Sequence, residues 1–204
     1  MQKELPDFYN YLDKVYLKIW GILNSGLLDR DSDYHLPVFI CGEGKVFDGR
    51  TVVLRGFDEK NKILWFHADI RSKKIKILRI NPNGSFLFYD KKKKIQLRIL
   101  GNTKINHQSS VAQKAWEKTV HMSRQCYLGQ KIPGTSTPNP TSGLSEDVDN
   151  FKYSMKESEI GYQNFCVVQT FITSVDWLYL AAKGHRRARF DLKNESVEKK
   201  WIIP

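Results

Sequence analysis

Basic and hydroxyl side chains cluster in the stretch HADIRSKK, residues 67–74, which follows the apolar run ILWF and leads into a segment with helical spacing. Arg71, Ser72, Lys73 and Lys74 thus lie where a strand gives way to a helix. Backbone N–H groups at a helix start, a hydroxyl and ammonium charges are the donors that bind a phosphate group. A solvated basic turn and a nucleic-acid patch are the alternatives that the charge run alone leaves open.

Two more polar side chains interrupt apolar strands. In RTVVLRGFD (residues 50–58), alternation places Arg50 on the same face as Val52 and Leu54. A guanidinium there needs either a carboxylate partner, Asp48 or Asp58, or a bound anion. Gln96 lies in the strand IQLR, where its amide needs a partner that is either protein or a heterocycle with donors and acceptors.

Other chemical signatures are missing from the sequence. The stretch CGEGK (residues 41–45) lacks both the third glycine of a dinucleotide-binding turn and the GK[ST] of a P-loop. Neither GxSxG nor HExxH occurs, and the three cysteines are far apart with no CxxC pair. We therefore expect no metal site and no disulfide framework, and we assign no catalytic residue.

The elements that must position these residues are mostly strands. Apolar spacing predicts a helix over residues 6–25, a second over SKKIKILRI that ends at NPNG, and a third over residues 108–125. Short β-branched and aromatic runs joined by turns fill residues 37–101 and follow again after residue 164. The four lysines at 91–94 read as a solvated hairpin tip. The segment 129–150, rich in Pro, Gly, Ser and Thr, is a candidate lid or a disordered loop. The pattern predicts an α+β, mainly β protein built on an antiparallel barrel.

Length and composition limit the class of protein. The 204 residues, 41% of them hydrophobic, predict one domain over residues 1–204, with an N-terminal helix within residues 1–30. No stretch has the length and apolarity of a membrane span, so we expect a cytoplasmic protein. The net charge of +11 favours an anionic partner: nucleic acid, an acidic membrane or a phosphorylated small molecule.

Five segments in order resemble one family: RTVVLRGFD, HADIRSKK, NPNGSFLFYD, IQLRILG and the C-terminal HRRARF with WIIP. The chain from about residue 37 to 204 is similar to the pyridoxamine 5'-phosphate oxidase family of FMN-binding split barrels. It resembles a related FMN-binding branch more than the vitamin-pathway oxidase. The resemblance implies a six-stranded antiparallel split barrel with flanking helices. It also implies a homodimer with FMN in clefts lined by both chains.

The resemblance also assigns roles to particular residues. Arg50, Ser72, Lys73 and Lys74 match positions that hold the FMN phosphate, and Gln96 and Arg189 match positions near the flavin ring. The other matching cofactor positions are Val52, Val53, Leu54, Arg55, His67 and Ala68. Positions that match substrate contacts are Arg55, Arg124, His185 and Arg187. Three features depart from the family pattern: Ala68 lacks a hydroxyl, Lys73 replaces an arginine, and the tryptophan near the flavin has no clear counterpart among residues 177–179.

The implied function is that of an FMN-dependent oxidoreductase. Hydride would pass from a small substrate, with pyridoxamine phosphate as one candidate, to the flavin. A non-catalytic flavin-binding protein on the same barrel is an alternative. A basic nucleic-acid-binding module using the lysines at 91–94 and the stretch RRAR (residues 186–189) is a further one, which we disfavour.

Overall fold

A computed structural model of the protein describes residues 6–182, 184–193 and 196–204. Nine strands form one antiparallel sheet, and five α-helices and three 3-10 helices flank it. The α-helices are α1 (Leu12–Leu28), α2 (Lys73–Ile80), α3 (Ser110–Glu117), α4 (His121–Arg124) and α5 (Glu146–Asp149). The strands are β1 (Val38–Glu43), β2 (Val46–Thr51), β3 (Leu54–Asp58), β4 (Ile63–Asp69), β5 (Asn83–Asp90), β6 (Ile95–His107), β7 (Phe165–Tyr179), β8 (Arg186–Leu192) and β9 (Val197–Ile202).

The sheet curls into a barrel. Its strand order is β2-β1-β5-β6-β7-β4-β3, and the β8–β9 hairpin pairs with β7 through β8. In a flat sheet β1 and β4 would lie about 19 Å apart, four strand spacings. The rings of Phe39 on β1 and Phe66 on β4 instead have centroids 4.8 Å apart. The predicted mainly β antiparallel class is therefore confirmed.

The strand count is higher than the predicted six. The stretch RTVVLRGFD divides between β2 and β3, because the chain leaves the β1–β2 ladder after Thr51 and pairs with β4 from Leu54 onward. The C-terminal residues then add the β8–β9 hairpin. The predicted number of six strands is thus corrected to nine among the described residues, and the predicted fold class is unchanged.

Helix α1 covers one side of the barrel with an apolar stripe that includes Val15, Ile19 and Trp20. The indole of Trp20 stacks on Phe57 of β3 with centroids 5.7 Å apart. The predicted helix over 6–25 begins later, at Leu12, after a separate 3-10 helix, Asp7–Asn10. Residue 11 has an extended backbone and divides the two helices. Just before it, Tyr9 is buried and its ring stacks on that of Tyr179, with centroids 4.2 Å apart.

The third predicted helix is also divided, into α3 and α4. Helix α3 ends at its C-cap residue, Lys118. The buried guanidinium of Arg124 donates back to the carbonyl oxygens of Trp116 and Thr119, both at 3.0 Å. Arg124 also pairs with Glu159 and lies 4.4 Å from the Trp116 ring centroid. These contacts hold the turn between the helices, which apolar periodicity does not reveal.

The lysines at 91–94 form the turn between β5 and β6 and are all exposed, as predicted. Asp90 closes this turn by accepting from the Lys93 N–H at 2.7 Å. Among the helices that the structure describes, none has both the length and the apolar composition of a membrane-spanning segment.

Candidate functional site

The start of α2 holds a compact group of donors. Ser72 is buried and caps the helix, and its hydroxyl donates to the carbonyl oxygen of Asp69 at 2.7 Å. The half-buried ammonium of Lys74 donates to the Ser72 hydroxyl at 3.1 Å. Lys73 beside it is exposed. A helix start with a hydroxyl and two ammonium groups is suited to an anion.

Arg50 of β2 joins this group from the other side, because α2 packs on β1, the neighbour of β2. Burial and the nearby positive charge of Arg50 both lower the pKa of Lys74. Asp48 pairs with Arg50, which holds the pKa of this carboxyl below its usual value. The carboxylate partner considered from the sequence is therefore present. The set Arg50, Lys73 and Lys74 still carries more positive charge than Asp48 neutralises.

Arg71 has a separate role, although it begins the same basic run. Its guanidinium donates to both carboxylate oxygens of Asp69, with Nη2 to Oδ2 at 2.7 Å, and to the carbonyl oxygen of Gly129 at 2.9 Å. Asp69 is buried and is the last residue of β4. Arg71 thus ties the start of the 129–150 segment to the end of β4 and does not join the anion-binding group.

A cavity of about 550 Å³ lies between α3 and the outer face of β4 and β7. Its floor consists of two cross-strand pairs, Trp65 with Gln169 and His67 with Val167. One wall is a single face of the α3 segment, at spacings of three and four residues. The residues of this wall are Val111, Lys114, Ala115 and Lys118. The remaining lining residues are Arg30, Arg55, Thr119, Val120 and Ser123.

Arg55 reaches the cavity from a β-bulge. The β3–β4 ladder pairs Leu54 with Phe66 and Gly56 with Trp65, which leaves Arg55 as the extra residue on β3. A bulge re-aims a side chain and is common next to binding sites. The indole of Trp65 lies against Gly56, where an added Cβ would come within 1.8 Å of the ring. The glycine therefore sets the position of one floor residue.

His67 is a neutral imidazole under ordinary conditions. Burial, and to a lesser degree the charge of Arg55, lowers the pKa of His67 from 6.5 to about 4. The ring packs edge-on against Phe165, with centroids 4.7 Å apart. His67 therefore offers a hydrogen-bonding group in the cavity without a charge.

The neighbours of these residues on β3 and β4 point into the core. Val52, Leu54 and Ala68 are buried, and Ala68 presents only its backbone, whose carbonyl oxygen accepts from the Cys166 thiol at 3.3 Å. Val53 is half-buried and lies between β2 and β3. The position at which the family pattern has a hydroxyl is therefore occupied here by an alanine side chain that packs in the core.

Gln96 and Arg187 lie on the outer face of the sheet. Gln96 is paired across strands with Tyr89 and Leu178, and Leu178 is paired with Arg187. All four side chains are at least partly exposed. Trp177, in contrast, is buried in the core, so Leu178 is the member of the 177–179 group that faces this surface with Gln96.

Two of the three arginines of β8, Arg187 and Arg189, are paired with carboxylates of the same chain. Arg187 and Arg98 both donate to Asp176, at 2.8 and 2.7 Å, and Arg189 donates to Asp191 at 2.8 Å. Burial opposes ionisation of Asp176, but the two guanidinium groups hold its pKa below its usual value. Exposed His185 lies in a separate groove of about 280 Å³ near the C-terminus.

Arg124, the remaining predicted substrate contact, is 3% exposed and does not line the cavity. Its guanidinium donates to the backbone of Trp116 and Thr119, to the Ser158 hydroxyl and to Glu159. Its neighbour Ser123 does line the cavity. The structure therefore gives Arg124 a role in holding α3, α4 and the 3-10 helix Glu157–Asn164 together.

The predicted residues thus fall into separate places within one chain. Arg50, Ser72, Lys73 and Lys74 come together, Arg55 and His67 meet in the cavity, and Gln96, Arg187 and Arg189 lie on the outer face. Sequence reasoning missed most of the cavity lining, including Arg30, Trp65, Lys114 and Lys118. The recurrence of basic and apolar residues at 111, 114, 115 and 118 was the available signal for one wall.

Residues 43–107 match the family model described as the pyridoxamine 5'-phosphate oxidase, FMN-binding domain. This segment is therefore similar to the FMN-binding domain of that family. It contains the donor group at α2, together with Arg50, Arg55 and His67. The resemblance noted from the sequence is confirmed, and FMN is the cofactor of this domain family.

Known relatives extend the similarity beyond that domain. Pyridoxine/pyridoxamine 5'-phosphate oxidase 2 of Arabidopsis thaliana is 27% identical over 160 residues, 74% of this chain and 76% of that protein. A pyridoxamine 5'-phosphate oxidase-related, FMN-binding protein of Nostoc punctiforme has a similar fold, with a TM-score of 0.67 at 20% identity over 92% of this chain and 95% of that one. PhzG of Burkholderia lata, solved with tetrahydrophenazine-1-carboxylic acid, gives a TM-score of 0.68 at 13% identity over 100% of this chain and 99% of that one. Both structures share the fold of this chain.

Proposed function

We propose that the protein is an FMN-dependent oxidoreductase. The observation that carries this proposal is the donor group at the start of α2, inside the segment that matches an FMN-binding domain. Arg50, Ser72, Lys73 and Lys74 would hold the FMN phosphate. The ring would extend along residues 52–55 and His67.

The donor set suits a phosphate group on physical grounds. Lys74 is half-buried, and in the part of the chain that the structure describes it makes no ion pair. Holding its ammonium near Arg50 is costly without an anion, as its lowered pKa reflects. A phosphate would accept from both side chains in charge-assisted hydrogen bonds.

Two segments connect this phosphate site with the cavity. Residues 50–55 begin at Arg50 and end at Arg55 on the bulge, and residues 67–74 run from His67 in the cavity to Lys74. A ligand that follows both segments would have its phosphate at α2 and its ring near the cavity. FMN has this extended shape.

The flavin, when bound, supplies the redox chemistry by accepting a hydride from the substrate. The chain's own residues would bind and orient the substrate. Arg55 offers a positive charge at the cavity rim, and neutral His67 offers a hydrogen bond without repelling a cationic amine. No side chain stands out as a general acid or base.

The outer face of the sheet supports a homodimer. Tyr89 and Leu100 are 45% and 46% exposed on this face, where lone monomers would present apolar side chains to water. Gln96, Arg187 and Arg189 lie on the same face. In a dimer that buries this face, these residues would approach the flavin bound by either chain.

Purification and a reduction assay test the proposed function. The protein should carry a yellow chromophore that is released on denaturation and identified by mass as FMN. Anaerobic addition of pyridoxamine phosphate, or of a panel of reduced amines and alcohols, should bleach its visible band. A colourless protein that cannot be loaded with FMN would overturn the proposal. Bound FMN that no substrate of the panel reduces would favour the non-catalytic flavin-binding alternative.

A further inference from the structure

We propose that Asp69 and Arg71 are positioning residues for the cofactor phosphate, and that they act through the hydroxyl of Ser72. This hydroxyl in turn orients the ammonium group of Lys74, so that the start of α2 is preformed for the phosphate. The inference deepens the proposed function and rests on it, because it explains how residues outside the donor group shape that group.

A chain of hydrogen bonds connects Arg71 with Lys74. Nη2 of Arg71 donates to Oδ2 of Asp69 at 2.7 Å, and the carbonyl oxygen of Asp69 accepts from the Ser72 hydroxyl, also at 2.7 Å. The oxygen of that hydroxyl accepts from Nζ of Lys74 at 3.1 Å. Because Asp69 and Ser72 are 8% and 5% exposed, water has little access to the middle of this chain. The position of the Lys74 ammonium group therefore depends on the turn formed by residues 69–72.

Asp69 fixes this turn with both its side chain and its backbone. Its carboxylate accepts from the backbone N–H of Arg71 at 2.8 Å and from Nε of the same residue at 3.0 Å. Its carbonyl oxygen accepts from the backbone N–H of Ser72 at 3.1 Å. Arg71 is itself anchored by its contact with the carbonyl oxygen of Gly129 at 2.9 Å. Without these donors the buried carboxylate would be unpaired, so the turn would rearrange to expose it.

The hydroxyl of Ser72 does not have the usual role of a serine at a helix start. A serine N-cap normally accepts from a backbone N–H in the first turn, as Ser109 of α3 does from Ala112 at 3.3 Å. Ser72 makes no such bond, and its hydroxyl instead donates to Asp69 and accepts from Lys74. The N–H groups in the first turn of α2 thus have no side-chain cap and are open to an anion. Asp69 therefore orients Lys74 and also keeps these backbone donors free.

The test compares FMN with riboflavin, which has the same ring but no phosphate, in fluorescence titrations of the FMN-free protein. The wild type should bind FMN at least about tenfold more tightly than riboflavin. Asp69→Asn/Arg71→Gln removes the ion pair without changing the net charge. It should weaken FMN binding about tenfold, because the phosphate donors lose their positions, and leave riboflavin binding unchanged. A purely structural role would weaken the binding of both flavins equally.

Asp90→Asn/Lys93→Gln is the matched control at the hairpin tip. Asp90 is also buried, accepts from the Lys93 N–H and pairs with the Lys93 ammonium group at 3.1 Å. This control should alter neither affinity. Arg71→Lys is a milder variant, which serves if the first double variant does not fold. It keeps the charge but loses the two-oxygen contact, so it should weaken FMN binding about threefold and leave riboflavin binding unchanged.

Ser72→Ala tests whether the pair acts through the hydroxyl. In this background, Asp69→Asn/Arg71→Gln should cause little further loss of FMN affinity, because the link to Lys74 is already missing. Equal losses for FMN and riboflavin, unchanged FMN affinity, or an undiminished further loss in the Ser72→Ala background would each overturn the inference. If the wild type still prefers FMN in those cases, the proposed function stands. A wild type that binds riboflavin as tightly as FMN, or binds neither, would overturn the inference together with the proposed phosphate site.

Discussion

Arg71 and Lys74 belong to one basic stretch, but their side chains have different surroundings. Arg71 forms a two-oxygen contact with buried Asp69, and its second partner is the Gly129 carbonyl. Lys74 contacts a hydroxyl and lies near another cation. The first arrangement stabilises the fold, and the second is available to a ligand.

Arg71→Ala should therefore lower the free energy of unfolding by about 2 kcal/mol, because it leaves the buried Asp69 carboxylate without its main partner. Urea denaturation of the FMN-free protein measures this. Lys73→Ala, two residues away and exposed, is the control and should change stability by less than about 0.5 kcal/mol. Equal stability of the two variants would contradict the role given to Arg71.

The lowered pKa of His67 predicts how the stability of the protein depends on pH. Because its pKa is lowered from 6.5 to about 4, the unfolded chain takes up a proton at this residue before the folded chain does. The contribution of neutral His67 to stability is complete above pH 6.5 and is lost as the pH falls toward 4. Between pH 7.5 and 5.0 this loss is about 2 kcal/mol.

His67→Gln removes the titrating group and retains a polar side chain. The FMN-free variant should lose about 2 kcal/mol less stability than the wild type between pH 7.5 and 5.0, as measured by urea denaturation at both values. The other titrating groups are common to both proteins, so they cancel in this comparison. Parallel pH profiles would mean that His67 is not held neutral by the fold.

Residue roles in the basic stretch were only partly predictable from the sequence. Arg50, Ser72, Lys73 and Lys74 come together as expected, because strand alternation and a helix start fix their placement. The pairing of Arg71 with Asp69 and Gly129 could not be foreseen, because the second contact spans 58 positions. Arg124 shows the same limit: the partners of its guanidinium lie on α3, in the turn after it and on the 3-10 helix Glu157–Asn164.

At the scale of elements, the bulge on β3 shapes the cavity. It exposes Arg55, and the next residue, Gly56, lets Trp65 lie flat against the strand. Periodicity predicts the strands themselves, but a one-residue bulge leaves no trace in an alternation pattern this short. The division of residues 108–125 into α3 and α4 likewise leaves no trace in the apolar periodicity of the sequence.

Gly56→Ala should destabilise the protein by about 2 kcal/mol, because its Cβ would meet the Trp65 ring at 1.8 Å. In a Trp65→Ala background the same change should cost little, since the obstructing ring is gone. The four proteins form a double-mutant cycle with a coupling energy of at least about 1 kcal/mol by urea denaturation. Additive effects would show that the indole does not depend on the glycine.

At the scale of the whole molecule, the separate groups of predicted residues have one explanation in a homodimer. The order of segments along the sequence was enough to anticipate the mainly β barrel, because each strand pairs with neighbours at predictable turns. The surface that we propose pairs with a second copy could not be read from the sequence. Exposed Tyr89 and Leu100 become one surface only after β5 and β6 are aligned.

Light scattering coupled to gel filtration should give twice the chain mass for the wild type. Tyr89→Arg/Leu100→Arg should give the monomer mass and a lower FMN content, because charge in this face opposes its burial. Leu17→Arg changes a residue of α1 that is 68% exposed and should leave the dimer intact. A monomeric wild type that retains FMN would rule out the shared site.

We propose that Arg50 and Lys74 bind the phosphate of FMN. Titration of FMN-free protein with FMN, followed by quenching of flavin fluorescence, tests it most directly. Arg50→Ala/Lys74→Ala should weaken FMN binding about 100-fold, the loss of two charge-assisted hydrogen bonds. Lys91→Ala/Lys92→Ala, which removes the same charge at the hairpin tip, should bind FMN as the wild type does. Unchanged affinity in the first variant, or equal losses in both, would contradict the account.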